Sequence, residues 1–142
     1  DAMIKECTLE AKIIELITAN ATLANLTTKA TVQAFNPLDY EVNNAFGAIL
    51  VSCNGSDASG DMFTKARFNR EFRFTVSLGV RNLTSNEELW DYKNLITSVL
   101  DYVKPFNYMS RIYPVNDFPK YPTPINGVFW VEMNYKINNY MS

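Results

Sequence analysis

The sequence predicts an α+β domain: a mainly antiparallel β-sheet with two amphipathic helices packed on one face. Three observations carry this. Residues 66–81 alternate between apolar and polar side chains almost without a break. Residues 128–138 do the same. Segments 4–19 and 86–103 instead carry apolar residues at helical spacing. A period of two gives a strand with one dry and one wet face, and a period near 3.6 gives a helix with one apolar stripe. One-sided strands need a cover, and two one-sided helices supply it, which is a two-layer arrangement. A length of 142 residues suits one domain with its own core, and nothing across 1–142 marks a repeat or a boundary.

The first helix is expected over 4–19. Ile4, Ala11 and Ile14, with Leu16 and Ile17, form its apolar stripe, and Lys5, Glu6, Glu10, Lys12 and Glu15 lie mostly opposite. Residues 27–35 are rich in Thr, with Val32 and Phe35, and read as a short strand or an extended segment. Asn36-Pro37 punctuates the chain, so 36–44 reads as a loop. Residues 46–53 form a short apolar run between turn residues, the mark of a central strand buried on both faces. The next stretch, 54–61, holds Gly, Ser, Asn and Asp and reads as a flexible polar loop.

The long alternating strand follows. Its even positions are Ala66, Phe68, Arg70, Phe72, Phe74, Val76, Leu78 and Val80, and only Arg70 breaks their apolar character. Its odd positions are Arg67, Asn69, Glu71, Arg73, Thr75, Ser77, Gly79 and Arg81. A strand usually has about 5–6 residues. One this long either bends or overhangs the core that covers it. With the 46–53 strand it makes an antiparallel hairpin closed by a large loop.

Ser85 and Glu88 are spaced as a capping box: the Ser hydroxyl accepts from the Glu amide while the carboxylate reaches back. The second helix, 86–103, carries Leu89, Tyr92, Ile96, Val99, Leu100 and Val103 on one stripe. Lys104 suits its C-terminal dipole and Pro105 stops it. Pro114, Pro119 and Pro122 follow, so a strand around 110–115 belongs at a sheet edge. Residues 122–127 form a turn. In the last strand Phe129, Val131, Met133, Tyr135 and Ile137 face one way, while Glu132, Asn134, Lys136 and Asn138 face the other. Trp130 stands on that wetter face.

Composition narrows the function classes. The net charge of −2 gives no electrostatic footprint for nucleic acid. No run of about 18 apolar residues is present to span a membrane. No basic-then-apolar leader is visible, and Asp1 reads as a processed or trimmed end that leaves room for an upstream segment. Cys7 and Cys53 lie on different elements and read as half-buried thiols, not a disulfide. Four Asn-x-Ser/Thr sites, at Asn20, Asn25, Asn54 and Asn82, reflect a chain rich in those residues.

Chemistry is scarce. Histidine is absent, which removes Ser-His-Asp and Cys-His catalysis and most zinc sites. No Gly-rich phosphate loop occurs, and no cofactor is called for. Asp57 and Asp61, with Ser56 and Ser59, offer oxygen ligands, but their spacing fits no calcium loop and a solvated loop is the better reading. Glu87 and Glu88 are accounted for by the helix start. Cys53 has no base beside it and reads as a core thiol.

Two groups of residues remain as interface candidates. Lys65, Arg67, Arg70, Arg73 and Arg81 form a basic series along the long strand. Such a series either blunts an exposed edge or docks a partner. Arg70, set among Phe residues, needs a partner of its own if buried. Tyr113 and Tyr121, with Tyr108, Phe118, Trp130 and Tyr140, concentrate aromatics in the C-terminal third, either capping the core or anchoring an interface.

The element order carries a resemblance. An N-terminal helix with Ile13, Ile14, Glu15, Leu16 and Ile17 precedes the apolar strand Gly47-Ala48-Ile49-Leu50-Val51. A polar loop leads to a long strand ending Val76-Ser77-Leu78-Gly79-Val80-Arg81-Asn82-Leu83, then a helix with Trp90, Asp91 and Tyr92, then Phe129 to Ile137. This resembles the Mu-like family of phage proteins that terminate or complete contractile tails, over nearly the whole chain. The strand–Arg-Asn-Leu–helix junction is its most specific feature. The resemblance implies a virion protein with no chemical step, assembled in the host cytoplasm and placed at the tail–neck junction. It implies a homo-oligomeric ring, commonly a hexamer, that caps tail tube and sheath, meets the neck connector, and lets genome DNA pass only through its lumen. A ring needs a head-to-tail contact that closes on itself. The overhang of the long strand with the 54–64 loop, including Asp57 and Asp61, is the candidate for that contact or for touching the tube. The competing readings are a neck or head-completion connector, the cap of a contractile injection system, and a small enzyme with a carboxylate-only site.

Overall fold

The computed structural model of the chain describes residues 6–31, 42–59, 69–81, 86–107, 109–119 and 127–140. In chain order the elements are helix α1 (Glu6–Thr18), a 3₁₀ turn (Leu23–Asn25), β1 (Thr27–Ala30), β2 (Gly47–Ser59), β3 (Asn69–Arg81), helix α2 (Asn86–Leu100), β4 (Tyr113–Pro119) and β5 (Val128–Tyr140). The strands form one sheet in the order β1-β2-β3-β5-β4. β1 runs parallel to β2, and every other pair is antiparallel. The sheet is therefore mixed but mostly antiparallel, with the two helices on one face.

The core follows from the alternation. Phe72, Phe74, Val76, Leu78 and Val80 of β3 bury the same face as Val131, Met133, Tyr135 and Ile137 of β5 and Ile49, Val51 and Cys53 of β2. Leu9, Ile13 and Ile17 of α1 and Leu89, Ile96 and Leu100 of α2 cover it. The α1 stripe is turned one position from the one expected: Ile13 is fully buried, Ile14 only partly, and Ala11 is exposed. Adjacent isoleucines leave that phase undetermined until the sheet chooses it. β2 is buried on both faces over Ala48 to Val51, as its apolar run predicts.

The largest correction concerns residues 54–59, which continue β2 instead of forming a flexible loop. Ser56 to Ser59 pair in register with Phe72 to Asn69. The register shifts between Cys53 and Ser56, and Gly55 takes φ +99° there. A glycine accepts that conformation where a side chain would clash. Backbone pairing to β3 thus outweighs the low strand propensity of Asn, Gly, Ser and Asp. The edge strand begins at Tyr113, later than expected, and reaches Pro119. α2 ends at Leu100, well before Pro105. β5 runs on to Tyr140. Residues 32–41 and 60–68, Ser85 of the capping box and the 122–126 turn lie outside the described residues.

β2, β3 and β5 each have 13 residues. At about 3.3 Å per residue each spans ~43 Å. A helix of 13 residues, like α1, spans only about 20 Å at 1.5 Å per residue. The helices therefore cannot cover the strands end to end. Among described side chains the last buried sheet positions are Cys53, Phe72 and Ile137. The three strands continue past them, where the described side chains of Asn54, Arg70, Glu71 and Asn138 are half-buried. Where β1 stops, the Glu10 carboxylate accepts the Cys53 N–H at 3.1 Å and caps that part of the β2 edge.

Gly79 shows how tightly the helix-free face is packed. A Cβ there would lie 2.8 Å from two carbons of the Trp130 ring. Trp130 is 5% exposed, so the ring has little room to withdraw. Gly79→Ala should cost about 1–3 kcal/mol through overpacking, read as a lower urea midpoint at unchanged slope. An unchanged midpoint would mean that the ring moves freely.

Candidate interaction surfaces

The sheet face away from the helices has two halves. At one end Trp130 lies over Gly79 and packs with Leu50, Val128 and Val42. Arg81 ties down the segment that carries Val42: its Nη2 donates to the Val42 carbonyl at 2.6 Å, and its backbone N–H donates to Phe46 at 3.0 Å. This half is apolar and sealed.

The other half is a polar ladder across the four long strands. The Asn54 amide of β2 donates to Thr75 Oγ1 of β3. The Thr75 hydroxyl donates to Asn134 Oδ1 of β5 at 2.7 Å. Asn134 Nδ2 donates to Asn116 Oδ1 of β4 at 2.8 Å and to Glu132 Oε2 at 3.2 Å. At the β2 end, Ser52 Oγ donates to Asn54 Oδ1 at 3.2 Å. Register places these residues side by side: Thr75 stands opposite Ser52 and Asn134, and Asn134 opposite Asn116. The Thr75 hydroxyl donates to an amide carbonyl and not to a base, so it is not an activated nucleophile. Arg73 and Glu71 form an ion pair at 3.1 Å beside the ladder. Together these groups make a polar surface whose side chains bond to one another across the strands.

A second feature lies where α2 turns towards β4. Tyr102 has φ +60°, a left-handed conformation uncommon for a bulky residue. Its N–H donates to the Ile112 carbonyl at 2.8 Å, and the Ile112 N–H donates to the Val103 carbonyl at 2.8 Å. Arg111 Nη1 donates to the Tyr102 carbonyl at 2.9 Å. The Tyr102 ring meets Tyr113 edge-on at 6.1 Å. Both are exposed, at 56% and 40%. Tyr113 stands opposite Lys136, which is also exposed.

A third feature is an open groove of about 530 Å³ at the other end of α2. Val80, Tyr92, Leu95 and Phe46 supply its apolar lining, and Glu88, Asp91 and Arg81 its charges. Phe46 is 53% exposed.

Beneath the C-terminal end of α2 lies a polar cluster. Lys93 pairs with Asp117 at 2.9 Å. Asp101 Oδ1 and the Tyr135 hydroxyl are buried, and neither has a partner at hydrogen-bonding geometry. Burial raises the Asp101 carboxyl above its ordinary 3.8. The nearby Tyr135 hydroxyl and Lys93 pull it down, and Asp117 pushes it up, but burial prevails. Burial, and then the Asp101 charge, likewise push the Tyr135 hydroxyl far up, so it stays protonated.

The residues singled out from sequence fall in different places. Arg73 and Tyr113 are exposed. Arg70 is half-buried near the start of β3, between Ala58 and Asn139 in register. Arg81 is a latch on Val42, and Trp130 is on the helix-free face but enclosed. Asp57 pairs opposite Glu71 on β2. Lys65, Arg67, Asp61 and Tyr121 lie outside the described residues. Among the described residues no three His, Cys, Asp or Glu side chains converge to hold a metal ion, and no helix is long and apolar enough to cross a membrane. The ladder and the Tyr102–Tyr113 corner did not emerge from the sequence. The polar odd positions of β3 hinted at the first, but the register that joins Asn54, Thr75, Asn134 and Asn116 is a property of the sheet.

The fold defined by this sheet and helix pair is shared with a solved structure. A chain from the virion of a native gene transfer agent particle superposes with a TM-score of 0.61 at 11% identity, covering 93% of this chain and 94% of that one. A second solved chain, also 11% identical, aligns over 96% of this chain and 93% of its own with a TM-score of 0.48. No protein-family model matches the sequence, and no curated protein matches it.

Two predictions follow from the geometry. Thr75→Val leaves the Asn54 amide and the Asn134 carbonyl without their shared partner. It should cost about 1–2 kcal/mol, measured by urea unfolding, and Ser52→Ala at the ladder's end should cost less. Asp101→Asn tests the polar cluster. A raised carboxyl pKa means that wild type has its full stability below 3.8 and loses some as pH rises through the folded-state value. The Asn variant has no such loss. Its stability relative to wild type should therefore rise from acid towards neutral pH in a melting series. A difference that stays flat across that range would show that burial does not hold the proton.

Proposed function

We propose that this chain is a structural component of a phage-like particle, acting as a tail terminator. It forms a ring, six copies as the family resemblance implies, that caps tube and sheath, ends tail polymerisation and joins the tail to the neck. The observation that carries this reading is the shared fold with a gene transfer agent virion chain over nearly the whole of both chains, joined to the resemblance of the strand–Arg-Asn-Leu–helix junction to tail terminators. The surfaces support it. The polar ladder and the exposed aromatic corner are recognition features, and the sequence has no histidine to serve as an acid–base catalyst. The far ends of β2, β3 and β5 offer a contact to the tube or to a neighbouring copy. Genome DNA is a passenger in the lumen, in keeping with the net charge of −2.

The test is mass in solution, alone and with tail tubes, followed by negative-stain imaging. Rings that sit only at tube ends are expected. A folded protein that ignores tube ends would overturn the terminator reading, and rings that bind a portal instead would move the protein to the neck.

A further inference from the structure

The two ends of α2 carry complementary surfaces. At the N-terminal end Glu88 and Asp91 line the groove, and Glu87 stands exposed beside it. Arg81, the one basic residue in that lining, keeps its charge while donating to the Val42 carbonyl, so with Glu87 the groove has three carboxylates to one guanidinium. Acidic residues in a first helical turn suit the helix dipole on their own. That does not account for Phe46, a half-exposed aromatic in the same groove.

The C-terminal end has the opposite character. Arg111, Lys136 and Lys104 are exposed on or near the Tyr102–Tyr113 corner. The acidic groups nearby do not cancel them: Asp117 is paired with Lys93, and Asp101 Oδ1 is turned inward. The corner is thus a basic, aromatic projection held by two backbone bonds and the Arg111 bond. Tyrosine and arginine are the residue types that anchor interfaces.

We infer that the Tyr102–Tyr113 corner of one copy docks into the Phe46–Asp91 groove of the next. This names the contact between copies and rests on the ring reading above. Charge complementarity selects the occupant: the groove is acidic around an apolar floor, and this chain itself presents a basic aromatic corner. A helix of 15 residues separates the two surfaces by roughly 22 Å. A contact between two different patches of a subunit is head-to-tail, which gives a ring where the rotation closes. Its exposed charge pairs make it weaken as salt rises.

The experiment uses the full chain and two single variants, Asp91→Lys in the groove and Lys136→Glu beside the corner, with Tyr113→Ser as a second corner variant. Both charge sites are exposed and outside the core, and circular dichroism checks that each variant folds. Wild type should assemble in sedimentation velocity, and each variant should assemble on the order of 100-fold more weakly. Mixing Asp91→Lys with Tyr113→Ser leaves one sound surface on each, so that mixture should form one-to-one dimers and stop, whereas Asp91→Lys with Lys136→Glu restores an opposite-charge pair and should assemble further. Mixtures that stay monomeric, variants that assemble like wild type, or a wild type monomeric at its highest soluble concentration would overturn the contact. Tube-end binding separates this from the function reading. Monomers that still cap tubes would sink the contact alone, and rings that ignore tubes would sink the terminator reading alone.

Discussion

The unbroken pairing of β3 with β5 is the constraint on which the rest of the structure depends. Thirteen residues of each strand pair without a bulge, from Asn69 with Tyr140 to Arg81 with Val128. In such a ladder every side chain's face is decided at once, because a slip of one residue would turn the whole apolar set to solvent. Phe72, Phe74, Val76 and Leu78 can be buried only if Arg73, Thr75 and Ser77 share the opposite face. The helix-bearing core and the polar platform are therefore two results of one register. The stacked rings of Phe74 and Tyr135, 5.2 Å apart on adjacent strands, help to hold it.

The face that the helices do not cover divides into unlike halves. The chain handles each region differently. The Trp130 end is closed by Leu50, Val128 and the 42–46 segment latched by Arg81. Among the described residues the ladder end has no apolar cover, and its side chains satisfy one another across the strands instead. A buried or half-buried polar group costs free energy only while it lacks a partner. Asn54, Thr75, Asn134 and Asn116 have theirs within the monomer.

Much of this architecture was legible in the sequence. The alternation in 66–81 and 128–138 identified both long strands and their dry faces, and the stripe from Leu89 to Leu100 identified α2 and its buried side. What was not legible depended on contacts distant in the chain. Residues 54–59 look like a loop in isolation, since Asn, Gly, Ser and Asp favour turns, and only pairing with β3 makes them strand. The phase of α1 could not be read from adjacent isoleucines. Trp130 was placed on the correct face, yet its enclosure depends on Gly79 one strand away, where no side chain competes for the space. The Tyr102–Tyr113 corner joins residues from a helix end and an edge strand, and no periodicity marks it.

That corner has a property the core does not require. A helix end often adopts the left-handed conformation, and glycine does so without cost. Tyr102 takes it with a bulky side chain that is more than half exposed and contributes nothing to the buried cluster. Glycine would serve the backbone there at lower free energy, so the chain reversal alone does not explain a tyrosine. Its ring instead makes one side of the edge-on pair with Tyr113, on a turn fixed by the Ile112 and Arg111 bonds. Rings held in place before docking lose less freedom when they dock. On the contact proposed above, the strain at Tyr102 and the exposure of its ring have one account: a backbone cost that keeps an aromatic side chain pointing outward.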